Sequence, residues 1–350
     1  MNQINYNAPW HQLKHVCVGA TYDEHFYEPI KNTKIRESLQ TISRETNEDY
    51  DNLISVLESF NVKVSRPEIN KNLSILDFID NNGIIDYSAS QSFTLIPRPP
   101  MQPRDSCLAV GDILLATNKE AMHIVNSSFK ELHSDNFVVP WAHNGRYYLP
   151  GDCEFDAPLA TVIGDTIVLD CRDHNWLYNY FLTAFPNYKI KPVYIGGHND
   201  AVYSVIKPGV LISTYHHENY KDTFPNWTVK FIKNQSWNAL PEWRKIKHSN
   251  INRWWVPEDI NNNDFSKFID TWLTNWTGFV KESVFDVNLL QINETTILVN
   301  NYNKDLFDFF NKHHIDAIVV PFRHRFFWDG GLHCITNDYF REGCKENYYD

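Results

Sequence analysis

The chain has 350 residues, of which 43% are hydrophobic, and its formal net charge is −11. Binding to nucleic acid through the phosphate backbone requires clustered Lys and Arg, and no basic tract with interleaved aromatic residues is present. No apolar run approaches the roughly 20 residues of a membrane helix, and the N-terminal residues lack the charged and apolar regions of a signal peptide. We therefore expect a globular protein with neither nucleic-acid nor membrane partners.

The six cysteines are scattered along the chain rather than spaced as a disulfide framework. They are Cys17, Cys107, Cys153, Cys171, Cys334 and Cys344. Without a leader sequence, such cysteines are expected to be free thiols in a reducing compartment, which predicts a cytoplasmic protein. No Cys-x-x-Cys or His-x-x-x-His spacing is present, so we do not expect a zinc site.

A pattern of β-hairpin, helix and strand recurs along the chain. The pattern of residues 16–18, 34–60 and 62–64 predicts a first, degenerate unit of strand, helix and strand. Hairpins are predicted at 107–116, 160–169, 203–212 and 289–299, and each is followed by a helical pattern and then an apolar strand. Because one such unit cannot bury its apolar faces alone, the five units should pack round a common centre in a single domain spanning 1–350. An ordinary α+β sheet with antiparallel hairpins is the alternative. A dinucleotide-binding fold is disfavoured, since no Gly-x-Gly-x-x-Gly follows the first strand.

Two stretches interrupt the repeat. Residues 84–104 contain four prolines and predict an ordered extended loop. Residues 235–276 form an insertion with six tryptophans, for which we favour additional packing over a lid or a partner surface.

Polar residues stand immediately before the hairpins. Asp105 precedes the second unit, Asp156 the third, and His198 and Asp200 the fourth, while Cys334 follows the last predicted strand, where a further hairpin would begin. Taken singly, each is more typical of a turn, a core histidine or a buried thiol. If the units surround one axis, these positions are equivalent and converge on a central space. His333 is adjacent to Cys334, but neighbouring side chains of an extended segment point to opposite faces, which makes it a poor base for the thiol.

Several segments resemble the arginine:glycine amidinotransferases and their inosamine-phosphate relatives in the pentein superfamily. They are 9–19, Met-Gln-Pro-Arg-Asp at 101–105, Glu-Phe-Asp-Ala at 154–157, His-Asn-Asp-Ala at 198–201, and Gly-Gly-Leu-His-Cys-Ile-Thr-Asn-Asp at 330–338. The resemblance runs through most of the chain, with the motifs in the family's order. It implies the five-bladed α/β propeller of that superfamily, which agrees with the repeat.

The resemblance also implies the roles of individual residues. Cys334 would be the nucleophile, His198 the general acid and base, and Asp156 the carboxylate that polarises His198. Asp105 and Asp200 would bind the guanidinium of L-arginine, whose amidino group would pass to an acceptor amine, with glycine as the expected acceptor. No metal or organic cofactor is implied, and a homodimer is possible. The alternatives are a guanidino-hydrolase of the same superfamily, similar to arginine or agmatine deiminases, and a non-catalytic binding protein.

The chain departs from the family pattern at three places. His217 stands where the family has an arginine that binds the substrate carboxylate. Lys281 and Glu282 align with a pair of serines, and Gly197 replaces a bulkier residue before the catalytic histidine. These changes leave the three catalytic positions intact but predict altered carboxylate binding or a different acceptor amine.

Overall fold

The computed structural model describes residues 3–78, 96–118, 120–128, 136–139, 154–171, 175–214, 220–237, 241–243, 245, 255–256, 262–278 and 282–349. Of the predicted features, His217, Lys281, Cys153 and most of the 84–104 loop lie outside these residues. Among the helices of the described part, none is long and apolar enough to cross a membrane.

The described residues contain five sheets of three strands, and each sheet pairs one antiparallel hairpin or strand pair with one parallel strand. We call them blades 1 to 5. Blade 1 contains β1 (Gln12–Val18), β2 (Lys63–Ser65) and β15 (Thr336–Glu342); blade 2, β3 (Cys107–Val110), β4 (Ile113–Ala116) and β5 (Phe137–Val138); blade 3, β6 (Ala160–Ile163), β7 (Thr166–Asp170) and β8 (Lys189–Val193); blade 4, β9 (Tyr203–Lys207), β10 (Val210–Ser213) and β11 (Thr228–Phe231); blade 5, β12 (Leu290–Asn293), β13 (Thr296–Val299) and β14 (Asp316–Val319). The predicted five-bladed α/β arrangement is confirmed.

Blade 1 explains why the first unit looked degenerate in the sequence. Its hairpin partner strand is β15, from the other end of the chain, which pairs with β1 in antiparallel register from Gln12 opposite Glu342 to Val18 opposite Thr336. The two ends of the chain therefore close the ring, and Cys334 precedes β15 as Asp105 precedes β3. No hairpin follows Cys334 among the described residues: the single strand β15 takes its place and pairs with β1.

Helices connect the second and third strands of the blades. They are α1 (Thr33–Ser59), α3 (Glu120–Ser128), α4 (Asn175–Ala184), α5 (Tyr220–Thr223) and α7 (Lys304–Lys312), with α2 (Pro103–Ser106), α6 (Asn263–Trp272) and α8 (Arg325–Trp328) outside that role. The helix α1 begins at the N-cap Asn32, whose side chain accepts hydrogen bonds from the N–H groups of Lys34 and Ile35. Its buried face includes Leu39 and Leu53, which pack into the largest apolar cluster.

Side-chain and backbone hydrogen bonds join each blade to the next around the ring. Asn337 Nδ2 of blade 1 donates to Cys107 O of blade 2 at 2.9 Å, and Phe155 N, before blade 3, donates to Thr117 O, after β4, at 3.1 Å. Asn199 Nδ2 donates to Thr161 Oγ1 at 3.1 Å, Gln291 Nε2 to Val205 O at 2.6 Å, and Arg341 Nη2 to Gln291 O at 2.6 Å. These contacts link blades 3 with 4, 4 with 5, and 5 with 1, so the loops before the first strands all face one axis.

The tryptophans of the 235–276 insertion are packed inward where the structure describes them. Trp237, Trp255, Trp272 and Trp276 are all buried. Trp276 stacks on Trp328 with ring centroids 5.7 Å apart, which places it behind the segment that leads to Cys334. These four residues support the packing role that we favoured over a lid. Trp243 differs, because it lines the cavity described next.

Candidate active site

Each blade contributes polar residues from the turn that precedes one of its edge strands. In blades 1 to 5 these strands are β15, β3, β6, β9 and β12. Asp105 lies in α2, and Asp156 and His198 are the N-caps of single 3-10 turns at Ala157–Leu159 and Asn199–Ala201. Asn288 follows the 3-10 turn Val284–Asp286, and Cys334 lies in the turn before β15. Asp105, Asn288 and Cys334 each stand two residues before their strand. The predicted convergence is therefore present, with one member that the sequence reasoning missed.

These residues line one cavity of about 390 Å³. Its walls include Asp105, Asp156, His198, Asp200, Asn288 and Cys334, together with Arg98, Trp243, Glu282 and Phe285. The volume lies in the range of roughly 300–1,000 Å³ that is typical of small-molecule sites. Acidic groups outnumber basic ones among these residues, so the cavity suits a cationic ligand.

Two glycines bring Cys334 to this cavity. Asp329 ends α8 in the left-handed conformation, with φ of 53°, and turns the chain toward the axis. A Cβ on Gly330 would lie 3.0 Å from Cys334 Cβ and would collide with Gln102, and a Cβ on Gly331 would lie 2.8 Å from Asn288 Oδ1. The close approach that the double glycine predicted is present, and it is made to side chains of blade 5 and of the loop before blade 2.

A pair of asparagines from blade 5 fixes the turn that carries the thiol. Asn288 Oδ1 accepts from the N–H groups of His333, at 3.0 Å, and Cys334, at 3.1 Å, while Asn300 Oδ1 accepts from Leu332 N–H at 3.1 Å. Asn300 Nδ2 in turn donates to the Asn288 carbonyl oxygen at 2.7 Å. Residues 332–335 form a turn and not the extended segment that we expected, because these side chains take up the backbone N–H groups.

A buried ion network holds the other side of the same turn. Arg104 Nε donates to the carbonyl oxygens of His333, at 2.8 Å, and Thr336, at 2.9 Å, and Arg104 Nη2 pairs with Asp338 Oδ1 at 3.0 Å. Arg341 Nη2 pairs with the second oxygen, Asp338 Oδ2, at 2.8 Å. Arg104 therefore holds the backbone of the nucleophile turn (residues 332–335), and Asp338 holds Arg104. Neither side chain lines the cavity.

His198 is paired with Asp156 as the resemblance implied. His198 Nε2 lies 3.1 Å from Asp156 Oδ2, and Asp170 Oδ2 accepts from Gly197 N–H at 2.8 Å to hold the preceding loop. Burial alone would lower the pKa of His198, but the hydrogen bond to Asp156 and the charges of Asp105, Asp200 and Asp156 raise that pKa to about 10. The imidazole is therefore protonated at neutral pH and can act as an acid.

Asp105 and Asp200 are two carboxylates with contrasting electrostatics. Burial raises the pKa of Asp105 to about 7, while His198 opposes the shift and Asp200 adds to it. Burial would also raise the pKa of Asp200, but the hydrogen bond from His333 Nδ1, at 2.7 Å, and the nearby cations lower it to about 2. In the described part of the chain, the buried Oδ1 atoms of both residues have no hydrogen-bond partner. A guanidinium ion has the donors and the charge that such a pair requires.

The thiol of Cys334 is buried and faces both an acceptor and a donor. Its Sγ lies 3.5 Å from Asp200 Oδ2 and 3.0 Å from Asn288 Nδ2. Burial raises the pKa of Cys334 well above its usual range, the charges of Asp200 and Asp105 raise it further, and the Asn288 hydrogen bond lowers it. A bound cation that neutralises the two carboxylates would therefore favour the thiolate.

Among the residues that depart from the family pattern, only some can be placed. His217 and Lys281 lie outside the described residues, so the alignment at 217 stays a prediction. Glu282 is buried at the cavity wall, where its Oε1 accepts from Trp243 Nε1–H at 2.7 Å. Gly197 lies beside His198 with open space around its Cα, since a Cβ there would meet nothing within 4 Å of it.

Comparisons with known proteins bear on the fold. No protein-family model and no curated protein sequence matches the chain. Solved structures that it resembles include an inosamine-phosphate amidinotransferase from Streptomyces griseus, with 19% identity, 99% of each chain covered and a TM-score of 0.62. An amidinotransferase of the saxitoxin biosynthetic pathway from Microseira wollei has 13% identity, 99% of each chain covered and a TM-score of 0.62. A dimethylarginine dimethylaminohydrolase has 10% identity, covers 94% of this chain and 100% of its own, and has a TM-score of 0.54.

The chain has the pentein fold. In this fold, the position two residues before the strand that opens a blade, β3 in blade 2 and β15 in blade 1, carries Asp105 and Cys334. The same rule, applied to the hairpin predicted at 289–299, points to Asn288. The signal that could have identified this residue was therefore present in the repeat.

Proposed function

We propose that the protein is an amidinotransferase, which moves the amidino group of L-arginine through Cys334 to an acceptor amine. The observation that carries the proposal is the convergence, in one cavity, of a buried thiol, the His198–Asp156 pair and two buried carboxylate oxygens without hydrogen-bond partners among the described residues. The two amidinotransferases among the similar structures support transfer over other chemistries.

In the first half-reaction, Asp105 and Asp200 bind the guanidinium, whose charge lets the Cys334 thiol lose its proton to water. The resulting thiolate attacks the central carbon of the guanidinium. The C–N bond to the side chain breaks, and protonated His198 gives its proton to the departing amine, which leaves as ornithine. The amidino group remains on sulfur as a cationic amidino-cysteine. Because Asp156 occupies one ring nitrogen of His198, the other nitrogen is the one that would exchange the proton.

In the second half-reaction, the acceptor enters as the uncharged amine and its nitrogen attacks the amidino carbon. His198 takes the proton that this nitrogen loses, the C–S bond breaks, and the Cys334 thiolate is regenerated. With glycine as the acceptor, the product is guanidinoacetate. Glu282 places a carboxylate at the cavity wall, which would repel an acceptor that presents its own carboxylate there, so amines without a carboxylate belong in the same trial.

The test is product analysis with arginine, alone and with a panel of amines that includes glycine and simple diamines. Ornithine that appears only with an amine supports transfer, and the amine identifies the acceptor. Citrulline formed from arginine without an amine would support a guanidino-hydrolase. This is the second candidate, because a hydrolase is among the structures of similar fold. Asp105 and Asp200 remain in the Cys334→Ala variant, which should lose turnover and still bind arginine in calorimetry. Full activity in that variant would refute the nucleophile assignment.

Absence of turnover with any pair of substrates would favour the third hypothesis, a non-catalytic binding protein with this fold. Alkylation of Cys334 that arginine slows, together with no product, would identify that case.

A further inference from the structure

The contribution of blade 5 to the cavity is an amide, Asn288, and the chemistry above assigns it no role. Asn288 is almost fully buried and stands where blades 2 and 1 place Asp105 and Cys334, two residues before the first strand. Because the five blades surround one axis, this position brings the Asn288 side chain into contact with Cys334.

All four contacts of the Asn288 side chain have distinct partners, and together they determine which atom is nitrogen. Its Oδ1 accepts from two backbone N–H groups, those of His333 and Cys334, at 3.0 and 3.1 Å. Its Nδ2 donates to the Asp200 carbonyl oxygen at 3.2 Å and to Cys334 Sγ at 3.0 Å. In the reverse orientation, the NH₂ group would face two N–H donors and Oδ1 would face a carbonyl oxygen. The amide can therefore be oriented in one way only.

We propose that Asn288 is a further catalytic residue, which donates a hydrogen bond to Cys334 Sγ and thereby stabilises the thiolate that attacks the substrate. The role of that thiolate as the nucleophile rests on the proposed function, whereas the test below measures only the reactivity of Cys334.

The surroundings of the sulfur make this donor necessary. Asp200 Oδ2 lies 3.5 Å from Sγ and favours the protonated thiol, and Asp105 and Asp200 both raise the pKa of Cys334 through their charges. His333 is engaged with Asp200 and His198 with Asp156, so neither imidazole is hydrogen-bonded to Sγ in the described structure. Asn288 Nδ2 is the contact that lowers the pKa of this thiol, and it does so without adding charge to a site that must accept a cation.

The same residue also sets the geometry of the nucleophile. Asn288 Oδ1 accepts from the N–H groups of the consecutive residues His333 and Cys334. The Nδ2 atom that faces Sγ is therefore fixed relative to the backbone of Cys334. Gly331 allows this approach, since a Cβ there would lie 2.8 Å from Asn288 Oδ1. Asn300 buttresses the arrangement through the Asn288 carbonyl oxygen, at 2.7 Å, but makes no contact with sulfur.

The test is the pH dependence of Cys334 alkylation by iodoacetamide, in which the thiolate sulfur bonds to carbon and displaces iodide. Cys344 is exposed, so the rate is followed by mass spectrometry on the peptide that contains Cys334. Asn288→Asp keeps the acceptor for the two N–H groups and loses the donor, and Asn288→Ala removes the donor without adding charge. Both should raise the midpoint by roughly one to two pH units, the effect of one hydrogen bond to a charged group, and slow alkylation at pH 7 by about 10- to 100-fold.

Asn300→Asp is the control for added charge, because it places a carboxylate nearby without a contact to Sγ. Circular dichroism verifies the fold of each variant. A midpoint within about 0.3 units of wild type in folded Asn288→Ala, or an equal shift in Asn300→Asp and Asn288→Asp, would overturn the proposal. If both variants at 288 unfold, the side-chain amide resonance of Asn288 in the wild-type protein should titrate with Cys334, and a resonance that does not move would refute it. None of these measurements uses turnover, so a failure of the proposed function is distinguished from a failure of this inference.

Discussion

Replacement of Asp105 by Asn should stabilise the protein while it weakens guanidinium binding. Burial raises the pKa of Asp105 from 3.8 to about 7, so the folded state binds the proton more tightly than the unfolded state does. Unfolding then releases a proton between these two values, and the free energy of unfolding falls as the pH rises through that window. Above pH 7 the ionised carboxylate destabilises the fold in full, and Asn cannot ionise.

The size of the effect follows from about 1.4 kcal/mol per pKa unit. The burden of Asp105 should be on the order of 1.5 kcal/mol at pH 5 and on the order of 4 kcal/mol at pH 8. Any pH-independent effect of the amide cancels in the comparison of the two pH values. The stability advantage of Asp105→Asn over wild type should therefore grow by about 2–3 kcal/mol between pH 5 and pH 8, measured by urea unfolding.

Asp200→Asn is the matched control. Its partners, led by His333, lower the pKa of Asp200 to about 2, so the group contributes stability that is complete above its unfolded pKa of 3.8 and is lost only as the pH falls toward 2. Between pH 5 and pH 8 Asp200 itself does not titrate, and its charge acts only by adding to the raised pKa of Asp105. The effect of Asp200→Asn on stability should therefore change less between these pH values than that of Asp105→Asn. An advantage of Asp105→Asn that does not grow between these pH values would refute the electrostatic reasoning. Arginine binding should weaken in Asp105→Asn by roughly 10- to 100-fold, since one charged hydrogen bond is lost.

Two further substitutions test the support of the nucleophile turn. Gly331→Ala should slow alkylation of Cys334 and reduce stability by roughly 1–3 kcal/mol through overpacking, whereas Gly197→Ala, where a Cβ meets nothing within 4 Å, should leave the unfolding free energy within about 0.5 kcal/mol of wild type. Equal effects at both glycines would show that close packing at 331 is not the cause. Arg104→Ala leaves Asp338 buried without one of its two cations and should cost about 3–5 kcal/mol in urea unfolding, and a loss below 1 kcal/mol would contradict the role of this network.

Local pattern was sufficient to predict most of the blades. The hairpins at 107–116 and 160–169 alternate apolar runs with glycine-containing turns, and the structure places β3–β4 and β6–β7 within those limits to one residue. The polar residues before these hairpins could be selected for the same reason, since a repeated unit repeats the orientation of its ends. The roles of His198, Asp156 and Cys334 came from the resemblance, and the structure brings these residues to one cavity.

What could not be obtained this way depends on contacts between residues that are far apart in the chain. The sequence contains the strands β1 and β15 but nothing local pairs them, so the first unit looked incomplete until the ring closed. The sequence suggested an extended segment at 332–335, whereas the structure has a turn. The residues that accept hydrogen bonds from its N–H groups, Asn288 and Asn300, lie more than 30 residues earlier, so no local pattern could show them. Whether the amide of Asn288 faces water or Cys334 Sγ is likewise decided by the packing of blade 5 against blade 1. Residue type and order determined the units and their reactive ends, and the closure of five units round one axis determined which of those ends meet.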